Sequence, residues 1–498
     1  MSSTRLIRRE RSALPGDASV AFRWPLTLVA LVVPILIAAA TPEKHLGGAL
    51  LAYTNIVVFL IVAVYFIRQR TLQGLIPVIY LAWLIAAWPL ASIYFAIECP
   101  TYSYTTMAEE REFLYGDDWL QLVTLAFLVS YLTTFAVFRG RHAPWSVGNG
   151  ELKTDQRVVS IILWIVISAI TVHAVSKLLP LPDLLQYIAN GSYLYLHGLM
   201  LMVGVLFLRL PLQTRWRAIV FMAIVAGFYT LGNARGQAAA PTALFLLGLI
   251  FLSNLDHRWK VWIVTIGCLC FPLALVFSNT TRLVTGTIGF QDLASRVKAL
   301  EQWQQVLSST PILASTFGRL FFVGGHTIVT MSPERFPYID FSWSSYIWEL
   351  LTRMMPRKAV FESYYSANPN LILGQYDFLI TEDTSVAVSL IGSLYMLGGI
   401  IAVMIGGVGI GLLHSGLARL IGNLAARSKY LALFVFAMIS SNLLWGQNID
   451  PITHLRGLVW AGTSAVIIYQ LMIRPFVGAS APLRRRFRRV RRLVPHVA

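Results

Sequence analysis

Apolar and polar positions fall along this chain in long blocks, not at the short periods of a soluble fold. Apolar runs of about 16 to 25 residues recur, and short breaks rich in Arg, Lys, Pro or Gly separate them. At 1.5 Å per residue, a run of that length crosses the roughly 30 Å hydrocarbon core of a bilayer. The pattern predicts an all-α polytopic membrane protein with about twelve transmembrane helices. They fall near 25–40, 46–67, 75–97, 118–138, 158–178, 193–210, 218–232, 237–253, 261–278, 386–413, 430–446 and 457–473. The first run, behind Arg5, Arg8, Arg9 and Arg11, resembles a signal peptide, but the second follows almost at once and favours a membrane helix.

One stretch breaks the pattern. Residues 279–384 are polar-rich and far longer than an ordinary connection. They still hold Trp303, Phe317, Phe321, Phe322, Trp343 and Trp348 to bury, so an ordered segment is expected. The expected order is a basic N-terminus (1–24), helices 1–9 (25–278), a large external loop (279–384), helices 10–12 (385–473) and a polybasic tail (474–498). Within the loop, 290–307 sets Phe290, Leu293, Val297, Leu300, Trp303 and Leu307 on one helical face. That face suits a helix lying on the membrane or capping the bundle, and equally one packed inside the loop.

Charge assigns sides. Arg68 and Arg70, Arg139 and Arg141, Arg209, Arg215 and Arg217, Arg258 and Lys260, then Arg419, Arg427 and Lys429 fall in alternate breaks. The other breaks are acidic or mixed, such as AEEREFLYGDD at 108–118, and 279–384 holds eight basic against nine acidic residues. Basic loops stay cytoplasmic, so both termini are expected inside and 279–384 outside.

Composition agrees. With 56% hydrophobic and 13% charged residues and a mean hydropathy of +0.66, the 498-residue chain is no ordinary soluble protein. Three cysteines, Cys99, Cys268 and Cys270, imply neither a disulfide framework nor a metal cluster. A net charge of +17 suggests nucleic acid, yet seven of those charges sit in the tail RRRFRRVRR at 484–492. After a last membrane run, such a tail reads as attraction to anionic lipid.

No phosphate-binding loop, nucleophile elbow or zinc-ligand histidine pair is present, so chemistry is sought in charged residues near the outer face. Arg235 lies in TLGNARGQ (230–237), where two apolar runs meet with almost no loop. A guanidinium there suits phosphate oxygens through forked hydrogen bonds; snorkelling to lipid headgroups is the competing explanation. Arg282, just past the ninth run, could touch the same anion. His326 is the lone histidine of 279–384 and suits a base or orienting group acting on a sugar hydroxyl, or a packed structural role. Glu382 and Asp383 stand where the chain re-enters the membrane, as a base or acceptor-orienting pair or as a solvated helix start. His173, His197 and His454 read as packing residues.

Taken in order, several features resemble the Wzy-type O-antigen and exopolysaccharide polymerases of bacteria. They are the arginine hairpin GNARGQ, the large loop between the ninth and tenth helices, SYIWELLTRMMPRKAVF (345–361) and TSVAVSLIGSLYMLGGIIAV (384–403). SLYMLGG lacks the asparagine and phenylalanine common in that family, and Thr327 follows His326 where related O-antigen ligases carry asparagine. The resemblance implies a metal-independent membrane glycosyltransferase without cofactors, in the bacterial inner membrane. It would join undecaprenyl-diphosphate-linked oligosaccharide repeat units. Arg235 and Arg282 would hold the diphosphate with Arg319 or Arg357 as auxiliaries, and His326, Glu382 or Asp383 would serve the acceptor hydroxyl. Membrane lipids, a chain-length regulator and a flippase are the implied partners, and nucleic acid is not. An O-antigen ligase and a lipid-linked oligosaccharide flippase or transporter are the competing expectations.

Overall fold

The structure is a computed structural model. It describes residues 44–69, 71–90, 101–105, 110–114, 118–140, 156–178, 195–231, 235–253, 255–267, 389–446 and 451–475, with a few isolated positions between them. Most of the first expected helix, nearly all of 279–384 with its amphipathic stretch, the N-terminal segment and all but the first two residues of the tail lie outside the described residues.

The elements follow the apolar runs. Helix α1 (Lys44–Arg68) leads through a turn, in which the Gly74 N–H donates to Thr71 Oγ1 at 3.0 Å, into α2 (Leu75–Ile85). Pro77 sits within the first turn of α2, where its missing N–H breaks no helical bond. The helix runs on as a π turn, Ala86–Leu90, that contains Pro89. Helix α3 (Asp118–Phe138) opens on an acidic residue at the positive end of its dipole. Helix α4 (Gln156–Leu178) follows, then α5 (Met200–Leu206) flanked by 3-10 turns at His197–Leu199 and Phe207–Arg209. Helices α6 (Leu212–Leu231) and α7 (Arg235–Leu247) follow, packed on each other, and α7 ends in a π turn, Gly248–Leu252. Last come α8 (Leu390–Arg427), α9 (Lys429–Trp445) and α10 (Pro451–Ile468), the last extended by a π turn, Tyr469–Ile473.

Five helices among the described residues are long and apolar enough to cross a membrane: Leu46–Arg68, Asp118–Phe138, Val158–Ser176, Leu390–Arg427 and Pro451–Ile473. Three apolar helices are shorter: His197–Leu206, Ala240–Leu252 and Lys429–Trp445.

The described residues are almost all helical, as expected, apart from one hairpin: Thr101–Thr105 (β1) and Glu110–Leu114 (β2) pair antiparallel, from Thr101 opposite Leu114 to Thr105 opposite Glu110. The sequence of β1, TYSYT, is β-branched and aromatic and favours a strand, whereas the acidic charge of 108–118 pointed only to a loop. Helix α8 does not stop at 413 but runs to Arg427, so Arg419 stands on a helix and not in a loop. No proline follows 413 before the helix ends, and Leu413, Leu417, Ile421 and Leu424 continue the apolar face at helical spacing against the core.

Helix α8 packs along α3, and the two run parallel. Gly407 faces Phe127 and Ser130, Gly411 faces Tyr131 and Thr134, and Ser415 Oγ, which donates to the Gly411 carbonyl at 2.7 Å, lies 3.4 Å from the Phe135 carbonyl. Near the start of α8, Gly399 holds φ +61° and ψ −150°, and the helix is broken there. That region is essentially closed to residues with a Cβ, although nothing lies within 4 Å of where the Cβ would be. The constraint is therefore the backbone and not space. Gly399→Ala is expected to cost about 1–3 kcal/mol, read as a lower thermal unfolding midpoint in detergent. An unchanged midpoint would mean that the break straightens at no cost.

Candidate functional site

The described interior holds no Asp, Glu, Lys or Arg; its buried ionisable side chains are histidines and tyrosines. Four of these come together from four helices. Tyr80 (α2), Tyr131 (α3), His414 (α8) and His454 (α10) are all fully buried. Tyr131 lies about 20 Å along α3 from Asp118, well inside a membrane-length helix.

The geometry is that of a continuous chain. Tyr131 OH lies 2.8 Å from His414 Nδ1, and His414 Nε2 lies 3.0 Å from His454 Nε2. Tyr80 fixes the rings. It stacks on His454 with centroids 5.2 Å apart and meets His414 edge-on at 4.6 Å, and Tyr131 also meets His414 edge-on at 5.5 Å. Gly446, at the end of α9, leaves room for the cluster: a Cβ there would lie 2.6 Å from His454 Nδ1 and 2.7 Å from Tyr80 Cε2. The Tyr80 hydroxyl has no hydrogen-bond partner among the described residues.

A second buried polar group ties α1 to the start of α3. Asn55 Nδ2 donates to Gln121 Oε1 and to the Gln121 carbonyl, each at 3.1 Å, and Gln121 Nε2 donates to Ser92 Oγ at 2.8 Å. At the same end of α3, Trp119 Nε1 donates to Tyr395 OH on α8 at 2.9 Å. Past the other end, the Arg139 guanidinium lies 4.5 Å above the Phe66 ring and donates to Gln69 Oε1 at 2.7 Å. Burial lowers its pKa from the ordinary arginine value, and the neighbouring Tyr65 works against that shift.

A third group is aromatic. His173 stacks on Tyr193 at 4.3 Å, and Tyr193 on His197 at 4.9 Å. His197 Nδ1 bonds the Tyr193 carbonyl at 2.6 Å, while its Nε2 has no partner among the described residues. Those two histidines pack as expected, but His454 belongs to a hydrogen-bonded pair. Among the described residues, no three His, Cys, Asp or Glu side chains gather as metal ligands.

Of the residues singled out from sequence, Arg235 is the first residue of α7, four positions after the end of α6. Arg282, Arg319, Arg357, His326, Glu382 and Asp383 lie outside the described residues. His414, Tyr131 and Tyr80 were missed. The signal for His414 was a histidine in a run of Gly, Leu and Ile, a position at which an ionisable residue is costly unless it has a use.

Fold and interior together define a multi-pass, almost entirely helical membrane protein with ionisable rings in its core. No protein-family model, curated protein or solved structure matches this chain.

Proposed function

We propose that this protein is a polymerase of lipid-linked oligosaccharides, a membrane-embedded glycosyltransferase acting at the outer face of a bacterial inner membrane. The observation that carries the reading is the junction of α6 and α7, where Leu231 closes one helix and Arg235 opens the next. The first N–H groups of α7 carry the positive end of its dipole, so the residue opening that helix stands in a field that favours an anion. An arginine adds a fork of donors matched to phosphate oxygens. Two further features of the sequence support the reading: the long polar stretch 279–384 and the resemblance to Wzy-type polymerases.

In this mechanism the growing glycan passes from undecaprenyl diphosphate to a hydroxyl at the non-reducing end of another lipid-linked unit. The bond between the anomeric carbon and the diphosphate oxygen breaks, a glycosidic bond forms, and the acceptor hydroxyl gives up its proton. Arg235 and Arg282 stabilise the negative charge developing on the leaving diphosphate, with Arg319 or Arg357 assisting. His326, or else Glu382 or Asp383, takes or orients the acceptor proton. The segment 279–384 covers the two sugars and limits competing hydrolysis. Twelve spans with both termini inside complete the arrangement, and the basic tail meets anionic lipid.

The test is the lipid-linked material that accumulates when the protein is deleted. Single unpolymerised repeat units exposed at the outer face are the expected result. Units held at the cytoplasmic face would sink the polymerase reading in favour of a flippase. Long lipid-linked polymer that fails to reach its final acceptor would sink it in favour of a ligase.

A further inference from the structure

The hydrogen atoms of the buried chain can be counted. Two neutral imidazoles bond through their Nε2 atoms only when one carries a proton and the other is bare. If His414 carries its proton on Nε2, its Nδ1 is an acceptor, and the Tyr131 hydroxyl donates into it across 2.8 Å. His454 then accepts at Nε2 across 3.0 Å and carries its own proton on Nδ1. The opposite order uses the same contacts. His454 donates through Nε2, His414 donates through Nδ1, and the tyrosine oxygen accepts. Only His414 donates and accepts at once, and both contacts can run in either direction without moving a heavy atom.

We propose that Tyr131, His414 and His454 form a proton-relay site inside the membrane bundle, taking a proton from water or hydronium at one end and returning one at the other. When His454 Nδ1 gives up its proton, the proton on His414 Nε2 passes to His454 Nε2. The Tyr131 proton passes to His414 Nδ1, and the tyrosine oxygen takes a new one. Each transfer breaks one O–H or N–H bond and makes another, so one proton enters as one leaves. No electron moves and the chain ends neutral. Passage in the reverse direction, or reorientation of the rings, resets it.

The surroundings suit that role. The elements packed on the pair present Tyr80 from α2, Tyr131 from α3 and Gly446 from α9, and no described charged side chain is buried there. Ser440 and Ser441 of α9 are occupied with the carbonyls of Phe436 and Met438. In so apolar a setting, neutral groups that exchange protons pairwise avoid the cost of holding a fixed charge. The proposal stands independently of the transferase reading.

The experiment uses the full chain reconstituted in vesicles of phosphatidylethanolamine and phosphatidylglycerol. They enclose a pH-sensitive dye and are driven by a potassium diffusion potential with valinomycin. The wild type is expected to carry protons faster than protein-free vesicles, and Tyr131→Phe and His414→Gln to lower the protein-dependent rate by roughly tenfold or more. Tyr131→Phe keeps the ring and removes only the transferable proton, so it decides the matter alone if His414→Gln fails to fold. A wild-type rate equal to that of protein-free vesicles, or Tyr131→Phe at the wild-type rate, would overturn the relay.

Discussion

Gly248→Leu is expected to leave almost no folded protein. Helices α5 and α7 approach at two glycines facing each other's backbones. A Cβ on Gly248 would overlap the Leu201 carbonyl, and one on Gly204 would overlap the Phe245 carbonyl. Main chain cannot rotate aside as a side chain does, so the helices must part. Every residue of α5 from Met200 to Leu206 is buried, and parting would loosen contacts along the whole element. Within lipid, helices gain little from apolar burial and depend on close packing of this kind. Even Gly248→Ala should cost about 1–3 kcal/mol, as overpacking does in well-filled cores, and leucine should cost more. Unfolding midpoint and yield of monodisperse protein in detergent are the readouts. Gly409→Ala is the control, because nothing lies within 4 Å of a Cβ there. Equal midpoints for Gly248→Leu and the wild type would contradict the close crossing.

Arg235→Lys should reduce polymer formation about ten- to hundredfold while leaving the protein folded. Lysine keeps the charge but not the fork. Its ammonium is a point charge that cannot make two parallel bonds to a diphosphate. Hydrogen bonds to charged groups contribute about 1.5–3 kcal/mol, which converts to that range of rate when the bond forms in the transition state. The measurement is glycan length and amount in cells that express the variant at normal levels. Near-normal polymer would reduce Arg235 to an anchor for the start of α7.

Much of the helical plan was legible because apolar blocks declare membrane helices without help from tertiary structure. From α1 onward, each expected span with described residues contains a helix. What sequence could not supply was set by backbone and neighbours. The expected run 386–413 stops one residue short of His414, whereas the helix continues to Arg427. In the fold that histidine is interior, made tolerable by Tyr131 and His454. Their pairing spans 283 and 40 positions of sequence and leaves no local trace. Tyr80 was hidden for a different reason: in an apolar helix a tyrosine is unremarkable until its neighbours are known. Arg235 stands out in the sequence as a charged residue between two apolar runs, and the fold places it at the start of α7. The hairpin of β1 and β2 was lost behind the acidic charge beside it.

The break at Gly399 and the length of α8 together make a lever. From residue 400 to Arg427 the helix runs about 42 Å, and His414 stands about 22 Å from the fulcrum. A pivot of roughly ten degrees at the break would swing the far end through about 7 Å and carry His414 through about 4 Å, by the same helical rise. The two imidazoles are only 3.0 Å apart, so a tilt that small, across its line of contact, would open or close the junction between them. Whatever pulls on the last turns of α8 or on its first eight residues thus has mechanical purchase on a fully buried hydrogen bond.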